Sequence, residues 1–138
     1  MLKAMCHAEK KGIIHRDIKP ANILFKQGTL KIADWGFSRL LAQGETTCSF
    51  IGSPAYMAPE ILKGKDYSLK ADVWSLGVVL YETLTGLCPW NSKSIHSLCH
   101  EIENKPLIFP KSSKISAKMK NIITKMLSPS EVTRPTFS

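Results

Sequence analysis

The chain has 138 residues, 43% of them hydrophobic, which is the size of one ordinary globular domain and enough to bury a real core. Nineteen basic against eleven acidic residues give a net charge of +8, but the lysines are spread along the chain, which favours a solvated basic face over a nucleic-acid surface. The four cysteines form no metal or redox spacing and no apolar run approaches the roughly 20 residues of a membrane span, so a cytoplasmic protein is expected, with the nucleus as an alternative.

The first elements in chain order are a helix and a hairpin. Residues 1–11 carry apolar Leu2 and Met5 among charged residues, and Gly12 follows as a C-cap, which predicts the last turns of a helix. The apolar run Ile-Leu-Phe at residues 23–25 and Leu-Lys-Ile at residues 30–32 flank residues 26–29, which predicts a β-hairpin with a four-residue loop.

Between this helix and the hairpin lies a dense polar stretch, His-Arg-Asp-Ile-Lys-Pro-Ala-Asn, at residues 15–22. A turn containing Pro20 separates Asp17 from Asn22, so both side chains can face one cleft, one accepting a proton and the other offering oxygen to a hard cation. Lys19 lies between them as a mobile point charge suited to phosphate. For a lone His-Arg-Asp the alternative is a polar surface turn with a chance acid–base pair.

The hairpin leads into Asp34-Trp35-Gly36, an acid followed by a large apolar anchor and a glycine. Alone this is an ordinary turn, although the same residue types suit a metal-binding carboxylate on a pivot. The polar segment that follows carries the hydroxyls of Thr46, Thr47 and Ser49, and it closes in Gly-Ser-Pro-Ala-Tyr-Met-Ala-Pro-Glu at residues 52–60. Its last three residues also fit a plain helix start, with Pro near the first position and an acid in the first turn.

Three helices are predicted after this segment. Residues 67–86 are apolar nearly all round, with Ser68 as a candidate N-cap and Gly86 as a C-cap, so this helix belongs in the core. Residues 95–102 form a short amphipathic helix, and residues 115–127 carry an apolar stripe opposed by lysines on a solvated face. Residues 133–135 are typical of the start of one further helix.

Five motifs in this order resemble the eukaryotic protein kinase superfamily. They are the H-R-D loop with Asn five residues after its Asp, the D-F-G segment with Trp35 in place of Phe, A-P-E, D-x-W-S-x-G at residues 72–77 and R-P at residues 134–135. The resemblance implies an α+β fold, namely the mainly α-helical C-terminal lobe of the kinase fold with a small β-hairpin beside the catalytic loop. It further implies that residues 1–138 are this lobe alone, starting within the helix before the catalytic loop and ending at the start of the last helix.

The resemblance also implies roles for the acid and amide side chains. Asp17 would accept the proton of the substrate hydroxyl, and Lys19 would neutralise charge on the transferring phosphoryl group. Asn22 and Asp34 would hold Mg²⁺ between the phosphates of ATP. Because Lys19 stands two residues after Asp17, the pattern is that of serine/threonine kinases, and protein substrates with Ser or Thr acceptors are expected.

Other positions are expected to support this loop. By resemblance, Asp72 bonds the backbone of the catalytic loop, and Arg134 forms an ion pair with Glu60 of A-P-E. Ser53 is expected to line the acceptor side. Arg16 would receive a phosphate from the activation segment at Ser49, with Thr47 or Thr46 as the fallback, added by an upstream or trans-activating kinase.

The sequence contains no G-x-G-x-x-G and no V-A-I-K lysine, which in this family belong to the N-terminal lobe. Two hypotheses follow. In the first, the chain is part of a longer, active serine/threonine kinase and is inactive alone. In the second, it is an inactive kinase-like binding or scaffold fragment. The sequence of residues 52–60 is most similar to the corresponding sequence of the autophagy-initiating and calcium/calmodulin-dependent-like kinases.

Overall fold

The computed structural model describes residues 1–41 and 53–137. Within these residues the chain forms five α-helices and two antiparallel two-stranded sheets, in agreement with the predicted α+β class. The helices are α1 (Leu2–Lys10), α2 (Pro59–Leu62), α3 (Lys70–Thr85), α4 (Ile95–Asn104) and α5 (Ala117–Met126). The strands are β1 (Ile13–Ile14), β2 (Ile23–Lys26), β3 (Thr29–Ile32) and β4 (Arg39–Leu40).

The predicted hairpin forms, but its loop is shorter than expected. Strands β2 and β3 pair from Ile23 opposite Ile32 to Lys26 opposite Thr29, which leaves a turn of only Gln27 and Gly28. Both turn residues have positive φ, 50° and 74°, which is the backbone of a type I′ turn. The twist of this turn matches that of the strands, so pairing continues into residues 26 and 29, which the sequence assigned to a loop.

Helix α3 is the centre of the core, as its apolar sequence predicts. Ten of its residues are buried, Trp74 and Val78 among them, and the helix ends at Thr85 before Gly86. It begins at Lys70 and not at residue 67, because Tyr67 is itself 1% exposed in the core and the chain turns through Ser68, whose hydroxyl accepts a hydrogen bond from the N–H of Lys70 at 3.2 Å.

Helix α5 packs closely on α3. A Cβ placed on Gly77 of α3 would lie 3.0 Å from the Met126 Cβ, so only glycine allows this approach without displacement. Ile123 and Met126 are buried in the contact, whereas Ile122, which the sequence placed in the same apolar stripe, is 39% exposed because it lies on the side of α5 that does not face α3.

The C-terminal segment returns to α1. The short 3₁₀ turn Glu131–Thr133 is followed by an extended Arg134, where the sequence predicted a helix start. Phe137 then donates its backbone N–H to the Glu9 carboxylate at 3.1 Å, and its carbonyl accepts a hydrogen bond from the Cys6 thiol at 2.6 Å. None of the helices in residues 1–41 and 53–137 is both long and apolar enough to cross a membrane.

Candidate active site

The polar stretch of residues 15–22 forms a loop between β1 and β2, and its centre is the carboxylate of Asp17. Asp17 is 5% exposed, and Lys19 Nζ lies 2.7 Å from its Oδ2. Asn22 Nδ2 donates to the same Oδ2 at 3.0 Å and to the Asp17 carbonyl at 2.8 Å. The 3₁₀ turn Pro20–Asn22 produces this arrangement, because it folds Asn22 back over Asp17.

Lys19 extends the site toward the segment after residue 52. Its ammonium also donates to the Ser53 hydroxyl at 3.3 Å. Ser53 is thereby linked to Asp17 through a cation that stays partly exposed, with 26% of the Lys19 side chain accessible. The structure thus brings Asp17, Lys19 and Ser53 together at one surface.

Asp72 anchors the backbone of the loop of residues 15–22. Its two carboxylate oxygens accept the backbone N–H groups of His15 at 2.7 Å and of Arg16 at 3.0 Å. Arg16 has φ 72°, a left-handed conformation that is unfavourable for a residue with a side chain. The two hydrogen bonds to a fully buried helix residue hold it in place. Burial raises the pKa of Asp72 to about 6, although the same two N–H groups favour the ionised form.

His15 joins the loop to the end of the hairpin. It is wholly buried, its Nδ1 accepts the Asp17 N–H at 3.3 Å, and its Nε2 lies 3.0 Å from the Ala33 carbonyl. The ring meets Trp35 edge-on, with centroids 4.6 Å apart, and Trp35 Nε1 donates to the Ile32 carbonyl at 3.2 Å. The tryptophan therefore has both a ring partner and a hydrogen-bond acceptor at the position where the family motif has Phe.

Hairpin pairing places Asn22 and Asp34 at the same end of the β-ladder. Ile23 is opposite Ile32, and the Ala33 N–H donates to the Asn22 carbonyl at 2.8 Å. Asp34 follows immediately with φ 58°, exposed to solvent, and one of its carboxylate oxygens accepts the Gly36 N–H at 3.4 Å.

The donor set at this end fits a hard cation. The amide nitrogen of Asn22 is occupied by Asp17, which leaves Oδ1 as the remaining ligand atom, and Asp34 adds an accessible carboxylate. No cluster of three or more His, Cys, Asp or Glu side chains with metal-binding geometry occurs in the described residues. Two protein oxygens suit Mg²⁺, which commonly takes its other ligands from water and phosphate.

The predicted regulatory residues are only partly within the described chain. Ser49, Thr47 and Thr46 fall in residues 42–52, which lie outside it. Arg16 donates through Nε to the Phe37 carbonyl. Burial raises the pKa of Tyr67, and the guanidinium of Arg16 partly opposes this by favouring the phenolate.

Glu60 and Arg134 form an ion pair beside α3. Arg134 Nη1 and Nη2 donate to the two Glu60 oxygens at 2.6 and 2.7 Å. Its remaining hydrogen bonds go to backbone carbonyls, among them Ser128 at 2.8 Å, and its guanidinium lies 5.0 Å from the Trp74 ring centroid. Arg134 is 2% exposed, so this pair is part of the core that carries the site.

Sequence reasoning missed one carboxylate that is hydrogen-bonded to the segment after residue 52. The Tyr56 hydroxyl donates to Glu82 Oε2 at 2.8 Å, and the Tyr56 carbonyl accepts the Ser75 hydroxyl at 2.8 Å. Burial, followed by the Glu82 carboxylate, raises the pKa of Tyr56 well above its usual range. Glu82 is the single charged residue of α3 after Asp72, and this isolation in an apolar helix was the available signal.

The family model that describes the protein kinase domain matches residues 1–138. Serine/threonine-protein kinase atg1 of Dictyostelium discoideum is 43% identical over 122 residues, which cover 86% of this chain and 18% of that protein. Serine/threonine-protein kinase PEPKR2 of Arabidopsis thaliana is 40% identical over 134 residues, or 95% of this chain and 28% of that protein.

A third relative, CBL-interacting serine/threonine-protein kinase 8 of Arabidopsis thaliana, is 40% identical over 139 residues, which cover 96% of this chain and 30% of that protein. The chain therefore spans less than a third of the length of these relatives.

Proposed function

Because this chain belongs to the protein kinase domain family, we propose that it is the C-terminal, catalytic-loop lobe of a longer serine/threonine kinase. Its reaction in that enzyme is transfer of the γ-phosphoryl group of ATP to the hydroxyl of a Ser or Thr in a protein substrate. The order of elements supports the proposal, since the loop of residues 15–22, the hairpin and the central helix α3 follow one another as the motifs do.

The observation that carries the proposal is the setting of Asp17. Its carboxylate is 5% exposed, and Lys19 and Asn22 fix Oδ2 from two directions at 2.7 and 3.0 Å. A pure scaffold has no physical need to orient a carboxylate in this way. In the proposed reaction Asp17 accepts the proton that leaves the substrate hydroxyl, while the hydroxyl oxygen bonds to the γ-phosphorus and ADP departs.

Lys19 and the two metal-binding candidates have charge-balancing roles. The transition state of phosphoryl transfer spreads negative charge over the equatorial oxygens, and the Lys19 ammonium, already held beside Asp17, would offset part of it. Asn22 and Asp34 would hold Mg²⁺. When bound, the ion neutralises and orients the phosphates of ATP.

Phosphate transfer in a single turnover tests the proposal. Labelled ATP and a generic protein substrate are mixed with the chain alone, and with the chain fused to the complete N-terminal lobe of a related kinase. Only the fusion should transfer phosphate, because reactant positioning accounts for about 7 to 11 kcal/mol of a barrier. In the fusion, Asp17→Asn should lower the rate about 10²- to 10⁴-fold.

Asp66→Asn is the matched control, since Asp66 is exposed and outside the site. It should leave the rate unchanged. A fusion that binds Mg²⁺ and ATP but transfers no more phosphate than its Asp17→Asn variant would contradict the proposal and favour the binding or scaffold hypothesis. Transfer by the chain alone that disappears in Asp17→Asn would show that the second lobe is dispensable.

A further inference from the structure

The Ser75 hydroxyl links helix α3 to the segment after residue 52. Ser75 is 7% exposed, and its Oγ donates to the Tyr56 carbonyl at 2.8 Å. The Ala71 carbonyl, four residues earlier in the same helix, lies 3.1 Å from this oxygen. A hydroxyl has one proton, and a carbonyl inside a helix already accepts the N–H four residues on. The shorter contact, to Tyr56, therefore uses this proton and ties a separate segment to α3.

The side chain of Tyr56 is attached to the same face of α3. Its hydroxyl donates to Glu82 Oε2 at 2.8 Å. Glu82 follows Ser75 by seven residues, so both lie on one face of the helix. Val79, between them, is buried in a cluster with Ile18, and Tyr56 packs against this cluster. One helix face thus holds Tyr56 at both its backbone and its side chain.

The loop that carries Asp17 is anchored to this face as well. Asp72, whose carboxylate accepts two backbone N–H groups of the loop, comes three residues before Ser75. The spacing i, i+3 puts Asp72 and Ser75 side by side on α3. The helix therefore fixes this loop and the segment of residues 53–56 relative to each other.

The held segment reaches the candidate catalytic groups through Ser53. The N–H of Tyr56 donates to the Ser53 carbonyl at 3.0 Å across a 3₁₀ turn, so the two residues are fixed to each other. The Ser53 hydroxyl accepts a hydrogen bond from Lys19 Nζ at 3.3 Å, and the same Nζ lies 2.7 Å from Asp17 Oδ2. A displacement of Tyr56 is thereby passed to the groups beside Asp17.

Little free space separates the loop from the segment. The gap between them has a volume of about 10 Å³, and its lining includes Asp17, Ser53, Tyr56, Asp72 and Ser75. Such a volume holds about one water molecule. A small shift of Tyr56 therefore changes the geometry around Asp17.

We propose that Ser75 is a positioning residue for phosphoryl transfer. By holding Tyr56 on α3, it keeps Ser53, and with it the acceptor hydroxyl of a protein substrate, in line with Asp17. This inference rests on the proposed function, in which Asp17 accepts the proton of that hydroxyl. Ser75 acts through Tyr56 and Ser53 and is not itself a catalytic residue.

Thr83 provides the matched control for Ser75. It also lies on α3, and its hydroxyl donates at 2.7 Å to the carbonyl four residues earlier. Such a bond within the helix is common for Ser and Thr and is the alternative role for Ser75. Tyr81 is the control for Tyr56, because its hydroxyl donates to the Ile108 carbonyl at 2.6 Å and to no residue of the site.

The fusion of this chain with an N-terminal kinase lobe is assayed for phosphate transferred to protein and for phosphate released to water. A loss of folded enzyme lowers both rates equally, so their ratio reports the position of the acceptor. Ser75→Ala and Tyr56→Phe should each lower this ratio about ten- to a hundredfold, because a misplacement of about 1 Å costs up to about 10²-fold. Thr83→Ala and Tyr81→Phe should keep the parent ratio.

Hydrogen exchange of the same fusion measures the hold on the segment without reference to activity. The N–H groups of Tyr56 and Met57 each donate to a carbonyl three residues earlier, at 3.0 and 3.1 Å. These two groups should exchange about five- to tenfold faster in Ser75→Ala, which is the effect of losing one hydrogen bond. In Thr83→Ala they should exchange at the parent rate.

Unchanged exchange in Ser75→Ala would show that this hydroxyl does not hold the segment, and would overturn the inference. Faster exchange with the parent ratio, or an equal fall of the ratio in Thr83→Ala, would reduce Ser75 to a structural residue of the helix and overturn it as well. A parent fusion that transfers no more phosphate than its Asp17→Asn variant would instead contradict the proposed function, and the inference with it.

Discussion

Arg134 and Glu60, 74 residues apart in sequence, form a two-bond ion pair in which both terminal guanidinium nitrogens reach the carboxylate, at 2.6 and 2.7 Å. The pair joins the segment after α5 to the start of α2. Because the Arg134 side chain has no solvent exposure, removing one partner leaves the other buried and unpaired.

We therefore expect Glu60→Gln and Arg134→Ala each to lower the free energy of unfolding by about 3 to 5 kcal/mol, measured by urea denaturation. Arg134→Lys should cost nearly as much, because one ammonium cannot reproduce the planar fork. Lys105→Gln, which breaks an exposed pair with Glu101, is the control and should change little. A stable Glu60→Gln protein would show that the pair is not needed for folding.

Gly12 is predicted to tolerate no side chain. It has φ +67°, and a Cβ there would lie 2.2 Å from the Leu41 carbonyl oxygen, a backbone atom of the segment paired with β1. Gly64 has nearly the same φ, +64°, with nothing within 4 Å of its Cβ position. Gly64→Ala should therefore cost only the left-handed strain, about 1 to 2 kcal/mol.

Gly12→Ala should cost clearly more, because it adds the clash with Leu41 to the same strain. Urea denaturation of the two variants measures the difference directly. An equal loss of unfolding free energy in the two variants would mean that the β1–β4 contact shifts to make room for the Cβ. That contact would then not constrain the start of the loop of residues 15–22.

Asp72 is predicted to make stability depend on pH. Its pKa rises from 3.8 to about 6 on folding, chiefly because of burial. Between these values the native state binds more protons than the unfolded state, so the contribution of this group is fully present below its unfolded pKa and is lost as the pH rises through about 6. Asp72→Asn removes this titration.

The measurable quantity is the free energy of unfolding of the parent minus that of Asp72→Asn. It should fall as the pH rises from about 4 to about 7. Asp66→Asn, at an exposed position, provides the control for general charge effects. A difference that stays constant or grows over this interval would show that the hydrogen bonds from His15 and Arg16 outweigh burial.

Activation is predicted to depend on Ser49 and Arg16. A phosphate on Ser49 would make charge-assisted hydrogen bonds with the Arg16 guanidinium. In a two-lobe enzyme purified after activation, Ser49→Ala and Arg16→Ala should both lower the transfer rate, with Thr47 and then Thr46 as the next candidates. Full activity in Ser49→Ala alongside its loss in Arg16→Ala would reject Ser49 as the phosphosite.

Local sequence patterns were sufficient for much of the fold. The apolar character of residues 67–86 predicts a core helix, and α3 is that helix. Burial of such an apolar surface is strongly favourable whatever the arrangement of the other elements. The predicted hairpin is equally local, since two short neighbouring segments pair across a short turn. Its loop length was misjudged, because Gln27 and Gly28 both adopt positive φ and close a two-residue turn that lets Lys26 and Thr29 pair.

The ordered motifs of the sequence also identified Asp17, Lys19, Asn22 and Asp34 as candidates for the chemistry. Only the tertiary structure showed how they are held. Asp72 reaches the loop backbone from a helix more than fifty residues away, and Tyr56 finds Glu82 across 26 positions. Periodicity within an element carries no information on such contacts, because they depend on how separate elements pack. For the same reason the exposure of Ile122 was decided only by the packing of α5 on α3, which buries Ile123 and Met126.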